Sequence, residues 1–180
     1  SEQSYTSAAK QSDEPIFNDS KDFVEGVWLF AKQAAQKIGI HPGVMVAQAA
    51  LETGWGKHII KTSNGDSSHN LFNIKAHRDW QGESTSKATL EYEQGIAVKK
   101  QQPFRVYESL QQSFDDFVSF LQSNPRYQQA LDVAHKPAEF IDAISDAGYA
   151  TDPNYANKIK RVLAQPELKA VVGDLLGLGD

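Results

Sequence analysis

The stretch PGVMVAQAALETGWG, residues 42–56, decides the fold. Pro42 suits the first position of a helix, where the N–H that proline lacks would have no partner. The residues that follow are apolar on nearly all sides, and a helix with that pattern is normally buried. Gly54 and Gly56 end the helix and begin a loop. We therefore expect a buried central helix with Glu52 at its carboxyl end.

Helical spacing of apolar residues also appears on both sides of this segment. Ser20 fits the N-cap of a first helix, whose apolar residues recur on one face until Gly39 ends it. The further predicted helices run from Leu110 to Leu121 before Asn124-Pro125, from Pro137 to Ala147, and from an Asp152-Pro153 cap through Leu163. The architecture is therefore predicted to be mainly helical.

A different pattern occupies the middle of the chain, where polar and apolar residues alternate. Residues 85–93 follow the period of two that is typical of a half-exposed strand. Gln94-Gly95 forms a two-residue turn, and residues 96–106 return as a second strand. The predicted fold class is thus mainly α (α+β), with a single β-hairpin inserted among helices.

Composition narrows the class of protein. The chain has 180 residues with 18 Lys and Arg against 23 Asp and Glu, a formal net charge of −5, and no cysteine. This length suits one domain with its own core, and no apolar run approaches the roughly 18 residues of a membrane span. The acidic balance argues against nucleic-acid binding, which needs clustered Lys and Arg. Without cysteine there is no disulfide, thiolate nucleophile or Cys-bound zinc.

We divide the chain into three parts. Residues 1–20 are rich in Ser, Gln and Asp without periodicity and are predicted to be a flexible tail or linker. Residues 21–166 form the predicted catalytic domain, and residues 167–180 form a C-terminal extension. Because the chain starts at Ser1 and shows no secretion signal, we expect a fragment or a processed form.

Glu52 is the strongest candidate for a catalytic group. It ends a helix that is predicted to be buried, and it precedes a loop that carries an indole ring. Loss of water and the negative end of the helix dipole both disfavour the charged carboxylate and raise its pKa. A glutamic acid that stays protonated near neutral pH can donate a proton to a glycosidic oxygen. The alternative is an ordinary glutamate at a frayed helix end, pointing into water.

A second carboxylate comes from the hairpin. By alternation, Glu91 and Glu93 lie on the face opposite Leu90 and Tyr92. One of the two would act as a base or an electrostatic partner across a sugar-binding groove, as glycosidases with two carboxylates require. Acidic residues on the wet face of a hairpin are common, so this assignment also has a purely structural alternative.

Aromatic side chains supply a third feature, because flat rings stack on the apolar faces of sugars, although many such rings simply cover a core edge. The aromatic residues that fall mainly in loops or at element ends are Trp55, Trp80, Tyr92, Tyr107, Tyr149 and Tyr155. The five histidines are scattered without an HExxH pair, and no GxSxG elbow is present. We therefore predict no metal ion and no other cofactor.

Four segments of the chain stand in an order typical of a known family. They are ALETGWGKH (50–58), HNLFNIKA (69–76), TLEYEQGIAVKKQQPFRVY (89–107) and DAGYATDPNYANKI (146–159). Together they resemble the glucosaminidase domain of bacterial flagellar rod-associated peptidoglycan hydrolases, in glycoside hydrolase family 73. The resemblance covers roughly residues 22–165.

The resemblance implies a lysozyme-like helical fold with a small hairpin lobe flanking a cleft. It implies cleavage of the β-1,4 glycan strand of peptidoglycan at N-acetylglucosamine, which opens the wall locally in the periplasm for flagellar rod assembly. It makes Glu52 the general acid, Glu91 rather than Glu93 the second acidic residue, and Tyr149 a third catalytic residue near the cleft. The residues expected to bind substrate are Trp55, Asn70, Phe72, Trp80, Tyr92 and Tyr155.

The sequence departs from the family pattern in two places. Asn73 stands where the family motif usually has glycine, and asparagine tolerates a left-handed backbone better than most residues, so we expect the turn to be kept. The flagellar members usually carry an N-terminal rod-assembly domain where this chain has a short tail. Peptidoglycan is therefore the expected partner, and flagellar rod proteins are expected only through a domain of that kind.

Three alternatives stay open at this point. A lytic transglycosylase shares the fold but runs on a single carboxylic acid, and a muramidase of the same fold would also use water. A non-catalytic wall-binding or rod-interaction module is the alternative from another class. The presence of Glu52 together with Glu91 favours the hydrolase.

Overall fold

A computed structural model describes residues 17–77 and 79–177 of the chain. Within these ranges it contains seven α-helices and one two-stranded antiparallel sheet. The helices are α1 (Ser20–Ile38), α2 (Pro42–Thr53), α3 (Leu110–Ser123), α4 (Gln128–Asp132), α5 (Pro137–Asp146), α6 (Tyr155–Leu163) and α7 (Pro166–Val172), and the strands are β1 (Ser84–Glu93) and β2 (Ile96–Arg105). The predicted class, mainly α (α+β) with a hairpin between helices, is confirmed. None of the helices in the described ranges is long and apolar enough to span a bilayer.

Helix α2 lies at the centre of the core, as its sequence predicts. Residues 43–50 are all buried, and α1 and α6 pack against them. Pro42 occupies the first turn, and the His41 ring caps the amino end by accepting a hydrogen bond from a backbone N–H (2.9 Å). Gly54 ends the helix with a left-handed φ of 57°. Glu52 therefore stands where the buried helix stops.

Two helices begin at residues other than those predicted. The N-cap of α1 is Asp19 and not Ser20, because the Asp19 carboxylate accepts a hydrogen bond from the N–H three residues further on (2.8 Å). Helix α6 begins at Tyr155 rather than at Asp152-Pro153. The Asp152 carboxylate accepts a hydrogen bond from the N–H two residues further on (2.8 Å), which folds these residues into a turn before the helix.

The hairpin has the predicted turn and pairing. Strands β1 and β2 pair in register from Ser84 opposite Arg105 to Glu93 opposite Ile96. Gln94 and Gly95 both have positive φ, 51° and 79°, as a two-residue hairpin turn requires. At its base the hairpin is tied to residues 74–76, since the Arg105 N–H donates to the Ile74 carbonyl (3.0 Å). The hairpin is thus a long two-stranded ribbon that is anchored at the end far from its turn.

The short helix α7 near the end of the chain is not predicted by the periodicity of the sequence. Helix α7 starts at Pro166 and buries Leu168 completely, so part of the predicted C-terminal extension contributes to the core. Residues 1–16 of the predicted tail and 178–180 of the extension lie outside the described residues. Phe17 belongs to the predicted tail, and its ring packs edge-on against Phe23 with centroids 5.1 Å apart.

Candidate active site

A cavity of about 380 Å³ lies between the carboxyl end of α2, the hairpin and the loop that leads into α6. Its polar lining includes Glu52, Asn73, Lys75, Thr89, Glu91, Thr151, Asp152 and Lys158, and its aromatic lining includes Phe72, Tyr92, Phe104, Tyr149 and Tyr155. Both carboxyl groups that the sequence singles out therefore face the same cavity. They reach it from different elements, Glu52 from α2 and Glu91 from β1.

The Glu52 side chain is half-buried in the wall of the cavity. Burial, reinforced by the nearby negative charge of Glu91, raises the pKa of Glu52 from 4.5 to about 7. The hydrogen bond from Asn73 (2.8 Å to Oε2), the neighbouring Tyr155 hydroxyl and the charge of Lys75 lower the pKa of Glu52 and oppose this rise without cancelling it. A substantial fraction of Glu52 is therefore protonated at neutral pH, as a general acid requires.

Glu91 has the opposite environment. Its side chain is 12% exposed and forms an ion pair with Lys75 (2.7 Å). The Thr151 hydroxyl donates a hydrogen bond to its second oxygen (2.9 Å), and the Thr89 hydroxyl donates to the first (3.3 Å). Partial burial alone would raise the pKa of Glu91, but the hydrogen bond from Lys75, those from Thr151 and Thr89, and the charge of Lys75 outweigh it and lower the pKa. Glu91 is therefore a carboxylate wherever Glu52 is half protonated.

The structure separates Glu91 from Glu93, which the sequence places on one face. Glu93 stands next to the hairpin turn, its side chain is 51% exposed, and it pairs with Lys100. It is not among the residues that line the cavity. Of the two hairpin glutamates, Glu91 is thus the one that shares a site with Glu52.

Two stacked tyrosines form the wall behind Glu52. The rings of Tyr149 and Tyr155 lie 5.7 Å apart and nearly parallel, at 19°. Burial, followed by the neighbouring Glu52 and tyrosine groups, raises the pKa of both hydroxyls well above the usual value. The Tyr149 hydroxyl donates a hydrogen bond to the Phe72 carbonyl (2.7 Å), and the Tyr155 hydroxyl accepts one from the Gln48 amide (3.3 Å).

The predicted substrate-binding residues fall into two groups. Phe72, Tyr92 and Tyr155 line the cavity, whereas Trp55, Asn70 and Trp80 do not. The Trp55 ring packs edge-on against Phe23 in the core (6.4 Å). The Asn70 amide binds the backbone of Ile74 and Arg105 (2.9 and 3.0 Å). The Trp80 ring lies under the Arg105 guanidinium (4.7 Å).

The sequence predicts no functional role for several polar residues of the site, among them Gln48, Asn73, Lys75, Thr89 and Thr151. The sequence does contain a feature that could have identified Gln48, because it is a polar residue four positions before Glu52 in an otherwise apolar helix. Asn73 is expected only as a turn residue, and its φ of 49° confirms the left-handed turn. Lys75 and Thr151 act through contacts between distant segments, for which the sequence offers no spacing rule.

The fold and the paired carboxyl groups of the cavity are typical of glycoside hydrolases. The chain belongs to the glucosaminidase family, since the family model described as mannosyl-glycoprotein endo-β-N-acetylglucosaminidase matches residues 28–168. Within the described ranges, no group of three or more His, Asp or Glu side chains is arranged to hold a metal ion.

Individual relatives agree with this assignment. Peptidoglycan hydrolase FlgJ of Pseudomonas aeruginosa is 50% identical over 150 residues, which cover 83% of this chain and 38% of that protein. A solved peptidoglycan hydrolase mutant from Sphingomonas sp. A1 has 41% identity and a TM-score of 0.78, covering 83% of this chain and 96% of that one. A C-terminally truncated glycoside hydrolase domain of Salmonella typhimurium FlgJ has 42% identity and a TM-score of 0.68, covering 85% and 99%.

The likeness to the Salmonella domain confirms the expected lysozyme-like glycoside hydrolase fold. The share of the relative that this chain covers differs between the whole Pseudomonas protein and the two solved chains. The chain spans less than half of the curated Pseudomonas protein, 38% of its length, but nearly all of the two solved chains. The likeness is therefore to the hydrolase domain of these proteins.

Proposed function

We propose that the chain hydrolyses the β-1,4 glycan strand of peptidoglycan at N-acetylglucosamine. The observation that carries this proposal is the pair of carboxyl groups that face one cavity in environments that shift their pKa values in opposite directions. Burial holds the pKa of Glu52 at about 7, whereas Lys75 and Thr151 lower the pKa of Glu91. Such a divergence assigns an acid and a base in glycosidases. The glucosaminidase family and the peptidoglycan hydrolase relatives support the substrate class.

In the proposed reaction, the glycan strand lies in the cavity between α2 and the hairpin. Glu52 donates its proton to the glycosidic oxygen, so that the leaving sugar departs as a neutral alcohol. Water attacks the anomeric carbon as the bond to the leaving oxygen breaks, while Glu91 stabilises the oxocarbenium-like transition state and accepts the proton that the water loses. The Tyr149 hydroxyl is committed to the Phe72 carbonyl, so its proposed contribution is to hold the wall against which the sugar and Glu52 are placed.

The proposed place of action is the periplasm, and the proposed role is local opening of the wall for the flagellar rod. The resemblance to rod-associated hydrolases and the relatives named FlgJ support this role. Contacts with rod proteins are proposed for parts of such proteins that lie outside the matched segment.

Product chemistry tests the proposal against its alternatives. Purified cell walls are digested, the products are reduced with borohydride, and the new ends are identified by mass spectrometry. We expect reduced N-acetylglucosamine ends that disappear when Glu52→Gln is used. Anhydro-muramic ends would indicate a lytic transglycosylase, and reduced N-acetylmuramic acid would indicate a muramidase. An uncut glycan would indicate a binding module, and any of these three outcomes would contradict the proposal.

A further inference from the structure

Asn73 stands on a turn that its neighbours hold rigidly. Its φ of 49° is left-handed. The Asn70 side chain binds Ile74 in both directions, accepting from its N–H (3.0 Å) and donating to its carbonyl (2.9 Å). Leu71 and Phe72, within the same turn, are fully buried. The Asn73 side chain therefore starts from a fixed backbone and has little freedom in how it approaches α2.

The Asn73 amide binds Glu52 twice. Its Nδ2 donates one hydrogen bond to the backbone carbonyl of Glu52 (3.0 Å) and one to the carboxyl oxygen Oε2 (2.8 Å). The first acceptor lies in the last turn of α2, where carbonyls have no partner within the helix. Because a carbonyl oxygen can only accept, this bond keeps the NH₂ group turned toward Glu52 in both ionisation states of the carboxyl.

This arrangement distinguishes the two carboxyl oxygens. The Asn73 amide donates to Oε2, and an unprotonated, carbonyl-type oxygen accepts a hydrogen bond better than the hydroxyl oxygen of a protonated carboxyl group does. We propose that Asn73 is a positioning residue that holds the transferable proton of Glu52 on Oε1, the oxygen that the amide does not contact. The proposal rests on the proposed role of Glu52 as the general acid. It extends that role by naming the oxygen that delivers the proton and the residue that selects it.

Other groups also act on this carboxyl and must stay constant in a test. The titratable or charged groups that influence Glu52 from the surrounding elements are Lys75, Glu91, Tyr149 and Tyr155. Asn73 is uncharged, so replacing it removes a hydrogen-bond donor without changing the charge of the cavity. Its removal therefore isolates the hydrogen bond from the long-range electrostatics.

The test replaces Asn73 with glycine, which adopts a φ of 49° without strain. The Glu52 carboxyl carbon is titrated by NMR in protein with ¹³C-labelled glutamate, and kcat and KM are measured against pH on solubilised glycan strands. Loss of a donor to the charged form should raise the pKa of Glu52 by about one pH unit. The pH at which kcat falls on the alkaline side should shift upward together with this pKa. At the optimum, kcat should fall by about tenfold with little change in KM, as expected when proton delivery is misaligned.

Two further variants make the result specific. Gln94→Gly relieves a similar left-handed backbone, φ 51°, at the hairpin turn and makes no change near Glu52, so its Glu52 pKa and kcat should match the wild type. Asn73→Asp keeps the shape of the side chain but adds a carboxylate, so the pKa of Glu52 should rise further than in Asn73→Gly.

The outcomes separate this proposal from the proposed function. An unchanged Glu52 pKa and unchanged kcat in folded Asn73→Gly would overturn the positioning role, even if the enzyme were a glucosaminidase. A lower melting temperature as the sole effect would also overturn it. Full activity of Glu52→Gln would instead overturn the proposed function. A higher Glu52 pKa together with lower kcat, absent in Gln94→Gly, would support the proposal.

Discussion

Replacing Glu52 with glutamine should stabilise the protein at neutral and alkaline pH while it abolishes hydrolysis. Glutamine has nearly the same shape as glutamate but has no proton to donate and no charge to desolvate. In the wild type, the folded protein holds a carboxyl whose pKa is raised from 4.5 to about 7, chiefly by burial. The cavity therefore disfavours the ionised side chain that neutral solution favours.

The sign and size of the effect follow from this pKa. The folded state binds the Glu52 proton more tightly than the unfolded chain does. Glu52 thus stabilises the fold fully below its unfolded pKa, and this contribution is lost as the pH rises from 4.5 to about 7. The rise from 4.5 to about 7 corresponds to about 3 kcal/mol, at 1.36 kcal/mol per pKa unit. For a domain of this size, that is a difference in Tm of about 6–12 °C.

Thermal unfolding of wild type and Glu52→Gln between about pH 4 and pH 9 measures this effect, and the groups that both proteins share cancel in the difference. The Tm difference should change across the pH window from 4.5 to about 7, in favour of the variant, and then level off. Glu93→Gln is the matched control, because it removes a carboxylate that is 51% exposed and does not line the cavity, so it should not reproduce the change seen with Glu52→Gln.

Two results would refute the reasoning. A flat difference for Glu52→Gln would mean that the cavity does not desolvate the carboxyl group. Wall hydrolysis above about a tenth of the wild-type rate in the folded variant would remove Glu52 as the acid, since general acid catalysis contributes about 10²–10⁴-fold.

The remaining predictions concern the hairpin wall. Glu91→Gln should lower kcat at least about tenfold, whereas Glu93→Gln should stay within about twofold, and equal losses would contradict the assignment of Glu91. Hairpin amides should exchange with solvent faster than those of α2, because the strands bury few side chains. Thr151→Val should speed this exchange near Tyr92, whose N–H donates to the Thr151 hydroxyl (2.9 Å), while Thr151→Ser should not. Protection of the hairpin equal to that of α2 would contradict a mobile wall.

Much of the fold could be predicted from local pattern. The apolar run of α2, bounded by Pro42 and Gly54, specifies a buried helix because each local signal agrees with the others. The alternation around Gln94-Gly95 specifies the hairpin in the same way. The start of α6 was predicted wrongly because Asp152 has two local hydrogen-bonding options, a helix cap and a turn, and sequence does not rank them.

The site was less predictable, for two physical reasons. The sequence does not indicate which way an aromatic or amide side chain in a loop faces. Trp55, Asn70 and Trp80 contact the backbone or the core instead of the cavity. The partners that set the ionisation of the two carboxyl groups come from distant segments, as Lys75 does for Glu91. Such pairings depend on where the backbone turns and not on residue spacing.

The environments of the two carboxyl groups in the cavity depend on one short segment. Asn73 donates to Glu52, and two residues later Lys75 pairs with Glu91. The same segment is bonded to the hairpin, with Lys75 bridged to Phe104. A shift of this segment would weaken both contacts and raise both pKa values together, because each carboxylate would lose a group that favours its charged form. The hydrogen bonds that hold the turn therefore serve the ionisation of two carboxyl groups, neither of which belongs to the turn itself.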